Sequence, residues 1–241
     1  MSLSHRLRIH LTSLALGASI LAVGMPLASG ASTKIPTTVS VLNAAKTSML
    51  KAASVHVVVE SKAGAATSHV VVDIGTISGK ETITAGKKFV SILVTPTYAY
   101  LSGSPVGLTG IMGLTAAQQK KLGTHSMSMK VGTPPYTNLK ANLTTPVFAS
   151  MLPSMTGTKL STAGSSSTLK YQLTWTTAAT TTAPKAKSVL TLSSGKSTLP
   201  QLEVITSAVG GGKSTFSKWG EHVKVIAPTL SSVVTYKSIF G

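Results

Sequence analysis

The stretch SAVGGGKSTFSKWGEHVKVIAP, residues 207–228, decides between two folds. Its Gly-Gly-Gly-Lys-Ser run looks like a phosphate-binding loop, which joins a strand to a helix in α/β nucleotide-binding proteins. That loop also needs an earlier glycine, at a position that Ser207 occupies here. The residues after Lys213, STFSKWGEHVKV, alternate and break at Trp219-Gly220, which is not the start of a helix. No acidic cluster is available to hold magnesium. Gly210-Gly211-Gly212 therefore reads as a hairpin turn, where glycine tolerates positive φ, and the chain reads as β-rich.

Working outward, the same alternation recurs. VHVVVESK sets Val55, Val57 and Val59 on one face and His56, Val58 and Glu60 on the other. SHVVVDIGTI repeats it with Val70, Val72 and Ile74 after an AGAAT turn, and ISGKETIT, KKFVSILVT and YAYLSG continue the run. TLKYQLTW alternates most cleanly, and KSVLTLS, LPQLEVITSAV and KSTFSKW-GEHVKVIAP complete a second set of strands. Short glycine-containing connections predict an antiparallel meander. A helix precedes it: Val39, Leu42, Ala45, Met49 and Ala53 recur at helical spacing behind Pro36-Thr37-Thr38. Between the strand sets, SPVGLTGIMGLTAAQQKKLG (104–123) holds a short helix, TAAQQKKL, and TPVFASMLPSM (145–155) predicts another. TTAATTTAPKA reads as a low-complexity loop, and residues 229–241 form an extension that the pattern does not place.

The first 31 residues read as an address. Arg6 and Arg8 precede an apolar stretch broken by Gly17, Gly24 and Pro26, and Ala28-Ser29-Gly30-Ala31 offers a cleavage site. That is the build of a secretory signal peptide, followed by a single domain over residues 34–228. The chain has no cysteine, which excludes a lipoprotein anchor, thiol catalysis and zinc–thiolate sites. The formal net charge is +17, and beyond the leader every basic residue is a lysine. Sequence-reading nucleic-acid proteins favour arginine, and these lysines are scattered, so no nucleic-acid partner is expected. Anionic membrane surfaces or acidic wall polymers suit the charge better.

Catalytic patterns are weak. Asp73 is the only aspartate; His69 shares its face on one strand, and period-2 patterning makes that the solvent face. There is no Gly-x-Ser-x-Gly elbow, no paired carboxylates and no His-x-x-x-His spacing, so neither an enzyme nor a metal or cofactor is expected. Aromatic residues are only 5%, so the apolar face is lined with slim side chains, either packed shut or left partly hollow.

VLNAAKTSMLKAASVHVVVE (41–60), YAYLSGSPVGLTGIMGLTAAQQKKLG (98–123) and LPQLEVITSAVGGGKSTFSKWGEHVKVIAP (199–228) together resemble the actinobacterial LppX/LprG-type envelope proteins of the wider LolA/LolB-like group. The resemblance implies an α+β fold, a strongly curved antiparallel half-barrel with helices covering its concave face. It further implies a non-catalytic exported carrier with a lipid or lipid-like ligand held between sheet and helices. The tethering cysteine of the lipoprotein members is missing here. On this reading residues 104–122 and 145–155 form the lid, and Leu108, Ile111, Met112, Leu114, Phe148, Met151 and Leu152 touch the ligand. The alternative is a basic envelope protein with a closed core that binds an acidic polymer or a protein through its lysines.

Overall fold

A computed structural model describes residues 36–164, 169–180 and 184–241. The expected signal peptide lies outside the described residues, as do parts of the two Ser/Thr-rich loops around 165–168 and 181–183.

Helix α1 (Thr38–Ala52) starts where the sequence places a cap: the Thr37 hydroxyl accepts the Ser40 N–H, satisfying one of the donors a helix start leaves open. It buries Leu42, Ala45 and Met49 of the stripe that the spacing picks, but Val41 is buried in place of Val39, which is exposed, and Ala53 is only partly covered. The chain then enters a meander of β1 (Val55–Ala63), β2 (Ala66–Ile74), β3 (Gly79–Ala85), β4 (Lys88–Val94), β5 (Tyr98–Gly103) and β6 (Ser126–Lys130). Helices α2 (Pro105–Gly110) and α3 (Ala116–Leu122) stand between β5 and β6. A capping box starts α3, with Thr115 and Gln118 bonding each other's backbone N–H. After β6 come α4 (Pro134–Leu143) and a 3₁₀ turn (Thr145–Ser150).

A second antiparallel meander follows: β7 (Lys159–Ala163), β8 (Lys170–Thr177), β9 (Ala186–Ser193), β10 (Pro200–Ser207) and β11 (Gly210–Ser217). It joins the first where β11 pairs with β1, in the spatial order β12-β6-β5-β4-β3-β2-β1-β11-β10-β9-β8-β7. Among the described residues the result is a large curved sheet of twelve strands that does not close, with helices on its concave face. The crossover 131–158 carries the chain from β6, near one edge, to β7 at the other. Helix α4 packs over β2 to β6, so that crossover is also part of the cover.

The structure corrects the sequence reading in three places. The sheet is not wholly antiparallel, because β12 (Val233–Thr235) pairs parallel with β6. Residues 229–241 thus belong to the sheet and to helix α5 (Tyr236–Phe240), where Tyr236 and Phe240 stack at 4.4 Å and Ile239 is buried. Val223 to Pro228 form no strand; Val223 packs by Gly75, and its carbonyl accepts the Ser78 hydroxyl. Finally, the three glycines begin β11, and the turn is Ala208-Val209. A side chain at Gly210 would run into the Lys62 carbonyl, and one at Gly211 would crowd the Ile205 carbonyl. The glycines let β11 wedge between β1 and β10.

Gly79 shows how tightly the cover is seated, since a methyl group there would meet the Leu143 carbonyl of α4. Gly79→Ala is expected to lower the unfolding free energy by about 1–3 kcal/mol through overpacking. Gly195→Ala, at a position with open space around it, is expected to stay within about 0.5 kcal/mol of the parent. Urea denaturation of the two variants checks the contrast.

Candidate functional site

Strand alternation assigns every residue of the sheet to one of two faces, and the registers align these into rows. One row of the concave face runs Leu173, Leu190, Glu203, Ser214, Val59, Val70, Ile83, Val90 across eight strands. Another runs Phe216, Val57, Val72, Glu81, Ile92, Leu101, Met127. Both rows are apolar except for a serine and two glutamates. Glu81 and Glu203 are each 2% exposed, and neither pairs with a cation among the described residues. The Oε2 of Glu203 is buried with no hydrogen-bond partner among the described residues. Burial disfavours the ionised form, and both carboxyls are pushed up from 4.5 to about 7.

The helical cover is uneven. Over β3 to β5 and the Val72 end of β2 it is complete, with Val72, Ile83, Val90, Ile92 and Leu101 all at 3% exposure or less. Toward the turns of the β1–β2 and β10–β11 hairpins it thins. Val59, Val70 and Trp175 are only partly buried there, and so are Ile205, Ser61 and Gly212. Glu203 and Ser214 stand at the inner margin of this half-covered strip, with Ile205 the next residue of β10 on the same face.

The seven residues expected to touch a ligand fall in two groups. Leu108, Ile111, Met112 and Leu114 are buried around α2 and the turn after it, where α2 packs on β4 and β5. Phe148 and Met151 are buried at the 3₁₀ turn beside α1, with Leu152 partly covered. Phe148 meets Trp219 edge-on at 5.7 Å, Trp219 stacks on Phe216 at 6.4 Å, and the Trp219 indole N–H donates to the Pro200 carbonyl at 2.9 Å. All seven contribute to one continuous core.

The outer face carries the polar chemistry. His56 Nδ1 lies 2.6 Å from Asp73 Oδ1, and Lys80 Nζ lies 3.2 Å from Asp73 Oδ2, in one row across β1, β2 and β3. Ser217 stands opposite His56 on β11, but no hydrogen bond joins them, so a Ser-His-Asp relay is not assembled. His69 shares Asp73's face as expected, yet it pairs across the strands with Glu60 and Thr84 in an open groove of about 560 Å³. That groove is lined by polar residues including Lys62 and Lys213, and none of the seven apolar candidates borders it. Among the described residues no group of three or more His, Asp or Glu is arranged to hold a metal ion, and no helix is long and apolar enough to cross a membrane.

The sequence reading passes over the buried acids. Glu81 is findable, because it shares parity with Ile83, which any inward assignment of KETIT buries. Glu203 is not. In QLEVITS the apolar pair Leu202 and Val204 invites the opposite assignment, and an irregularity between Pro200 and Leu202 sets the face.

No protein-family model matches the chain, and no curated protein matches its sequence. Solved structures do. The lipoprotein LppX of Mycobacterium tuberculosis is similar over 79% of this chain and 100% of its own, with a TM-score of 0.44 and 16% identity. LprF from Mycobacterium bovis is similar over 78% and 95%, with a TM-score of 0.44 and 14% identity.

The buried acids give stability a pH dependence of defined sign. With folded pKa values near 7 against 4.5 ordinarily, the native state holds protons that the unfolded chain has released between about pH 4.5 and about pH 7. Stability is therefore greatest below that window and falls as pH rises through it, by on the order of 3 kcal/mol per acid. Urea midpoints measured between about pH 4.5 and about pH 8 are expected to decline, and the double variant Glu81→Gln, Glu203→Gln to flatten the decline. An unchanged slope in the variant would refute the assignment.

Proposed function

We propose that this chain is a non-catalytic exported binding protein that carries a lipid or other hydrophobic ligand between the sheet and its helices. The observation that supports it most directly is the uneven cover: the concave face continues past the helices into a half-buried strip where Val59, Val70, Trp175 and Ile205 stand among Gly212, Ser61, Ser68 and Ser188. Each methylene moved from water onto such a surface gains roughly 0.8 kcal/mol, and a long acyl chain about 12 kcal/mol before costs. Affinity on that scale needs few polar contacts.

In this reading α2, α3 and the 3₁₀ turn act as the lid. Leu108, Ile111, Met112, Leu114, Phe148, Met151 and Leu152 are the contact set, exchanging lid–sheet packing for ligand packing when an acyl chain enters. The lysines serve the outside. Among the described residues the ion pairs use only Asp73, leaving the other lysine ammoniums for an anionic membrane surface or wall polymer. The chemistry of the outer face does not require a cofactor.

The test is mass spectrometry of an organic extract from the mature chain, purified without detergent from an actinobacterial host. A lipid near one equivalent is the expected result, and a photoreactive fatty acid is expected to label residues 104–122 or 145–155. A chain that yields no lipid and takes up no acyl probe would overturn the carrier reading. In that case the lysine surface becomes the function, and retention on anionic vesicles or wall polymer should weaken steeply between about 0.05 and about 0.3 M salt.

A further inference from the structure

We infer that the carried molecule is uncharged in its polar part and that Glu203 holds it there, as a hydrogen-bond donor to an ester carbonyl or hydroxyl oxygen of a neutral lipid. The inference rests on the carrier reading above and specifies its ligand class.

The position of Glu203 carries it. The carboxyl projects from the concave face between Leu190 and Ser214, its Oε2 is sealed from water, and no group among the described residues bonds to that oxygen. Buried polar atoms are almost always satisfied, so one that is not marks a place where a partner is missing. The partner belongs on the side of the half-covered strip, because Ile205 and Gly212 next to it are only partly buried while Leu173 and Leu190 are closed in. A ligand lying along Val59, Val70 and Ile205 brings its polar group to Glu203 and Ser214 and leaves its chains on the apolar residues.

The chemistry of the pocket floor selects the class. An acid kept neutral by burial presents one O–H donor, which suits a carbonyl or hydroxyl oxygen. Glu81 adds a second buried carboxyl on the same face, and the structure sets no lysine against either acid among the described residues. A phosphate or carboxylate headgroup entering this face would meet acids and no cation, so anionic lipids are selected against from inside even though the lysine surface attracts them outside. An amine-bearing lipid is the remaining rival, since an ionised Glu203 would pair with it.

Delipidated protein with fluorescently labelled diacylglycerol, phosphatidic acid and a long-chain amine, all with the same acyl chains, separates these cases at about pH 6. Diacylglycerol is expected to bind about tenfold tighter than phosphatidic acid. Glu203→Leu should lower diacylglycerol affinity about five- to tenfold, while Glu203→Gln, which keeps a donor, should stay within about threefold of the parent. Equal binding of diacylglycerol and phosphatidic acid, tightest binding of the amine, or indifference to Glu203→Leu in a protein that does bind lipid would each overturn this inference and leave the carrier reading standing. Binding of none of the three probes would overturn both.

Discussion

One apolar face on a twelve-stranded sheet that never closes has to be hidden from water, and the rest of the architecture answers to that demand. The sheet order fixes how. Because β11 returns to pair with β1, the two meanders grow outward in opposite directions, and the chain must travel from β6 to β7 across ten strand spacings. In a flat sheet that is about 48 Å. The ten residues of α4 span about 15 Å and the six of the 3₁₀ turn about 12 Å. The remainder of 131–158 is extended or irregular, so the crossing is feasible with limited slack, and curvature shortens it. The connection that topology requires thus supplies part of the cover that the hydrophobic effect requires, beside α1 and α2.

That economy has a consequence for composition. A few short helices and one turn cannot blanket every strand, so the cover is thick where α2 and α4 sit and thin where the hairpin turns of β1–β2 and β10–β11 emerge. Gly79 shows how closely the helix rests where it does cover, its missing side chain leaving room for the Leu143 backbone. Slim Val, Ile, Leu and Met side chains serve both regions, packing flat beneath the helices and leaving a shallow apolar surface beyond them. Phe148 is backed by Trp219, which in turn stacks on Phe216, so three of the few aromatic residues gather where the 3₁₀ turn meets the end of β11.

Most of this was legible wherever period and face agree. VHVVVESK, SHVVVDIG and TLKYQLTW each bury the face their alternation picks, and Thr37 and Thr115 start helices for the capping reasons their sequences declare. The failures have local causes. SMSMK, residues 126–130, is a strand only five residues long, in which buried Met127, Ser128 and Met129 leave no contrast between faces. PPYTNLKANL has little amphipathic contrast, although its paired prolines suit a first helical turn. The Gly-Gly-Gly run belongs to a hairpin, as its context says, but it lies in the strand rather than the turn. The need for glycine there comes from the approach of β1, which no local pattern reports. The seven apolar candidates, picked by residue type, lie in the core, where apolar type alone puts them; the acid at 203 was hidden because an irregular register, not the sequence period, decides where it points.

Glu203 is where the fold and the proposed function meet. An unpartnered carboxyl in an apolar setting costs about 1–3 kcal/mol, and packing alone would place an aliphatic side chain between Leu190 and Ser214. The position gains nothing for the empty protein, since among the described residues no backbone donor, hydroxyl or ammonium completes that oxygen. A ligand oxygen would complete it, and the methylenes laid along Val59, Val70 and Ile205 would supply free energy well above the cost. A face that is apolar enough to attract any acyl chain needs some group to discriminate among them. On the proposed reading a neutral acid at the margin of the cover would discriminate by rejecting charge rather than by building many contacts, a form of selectivity open to a sheet of slim side chains.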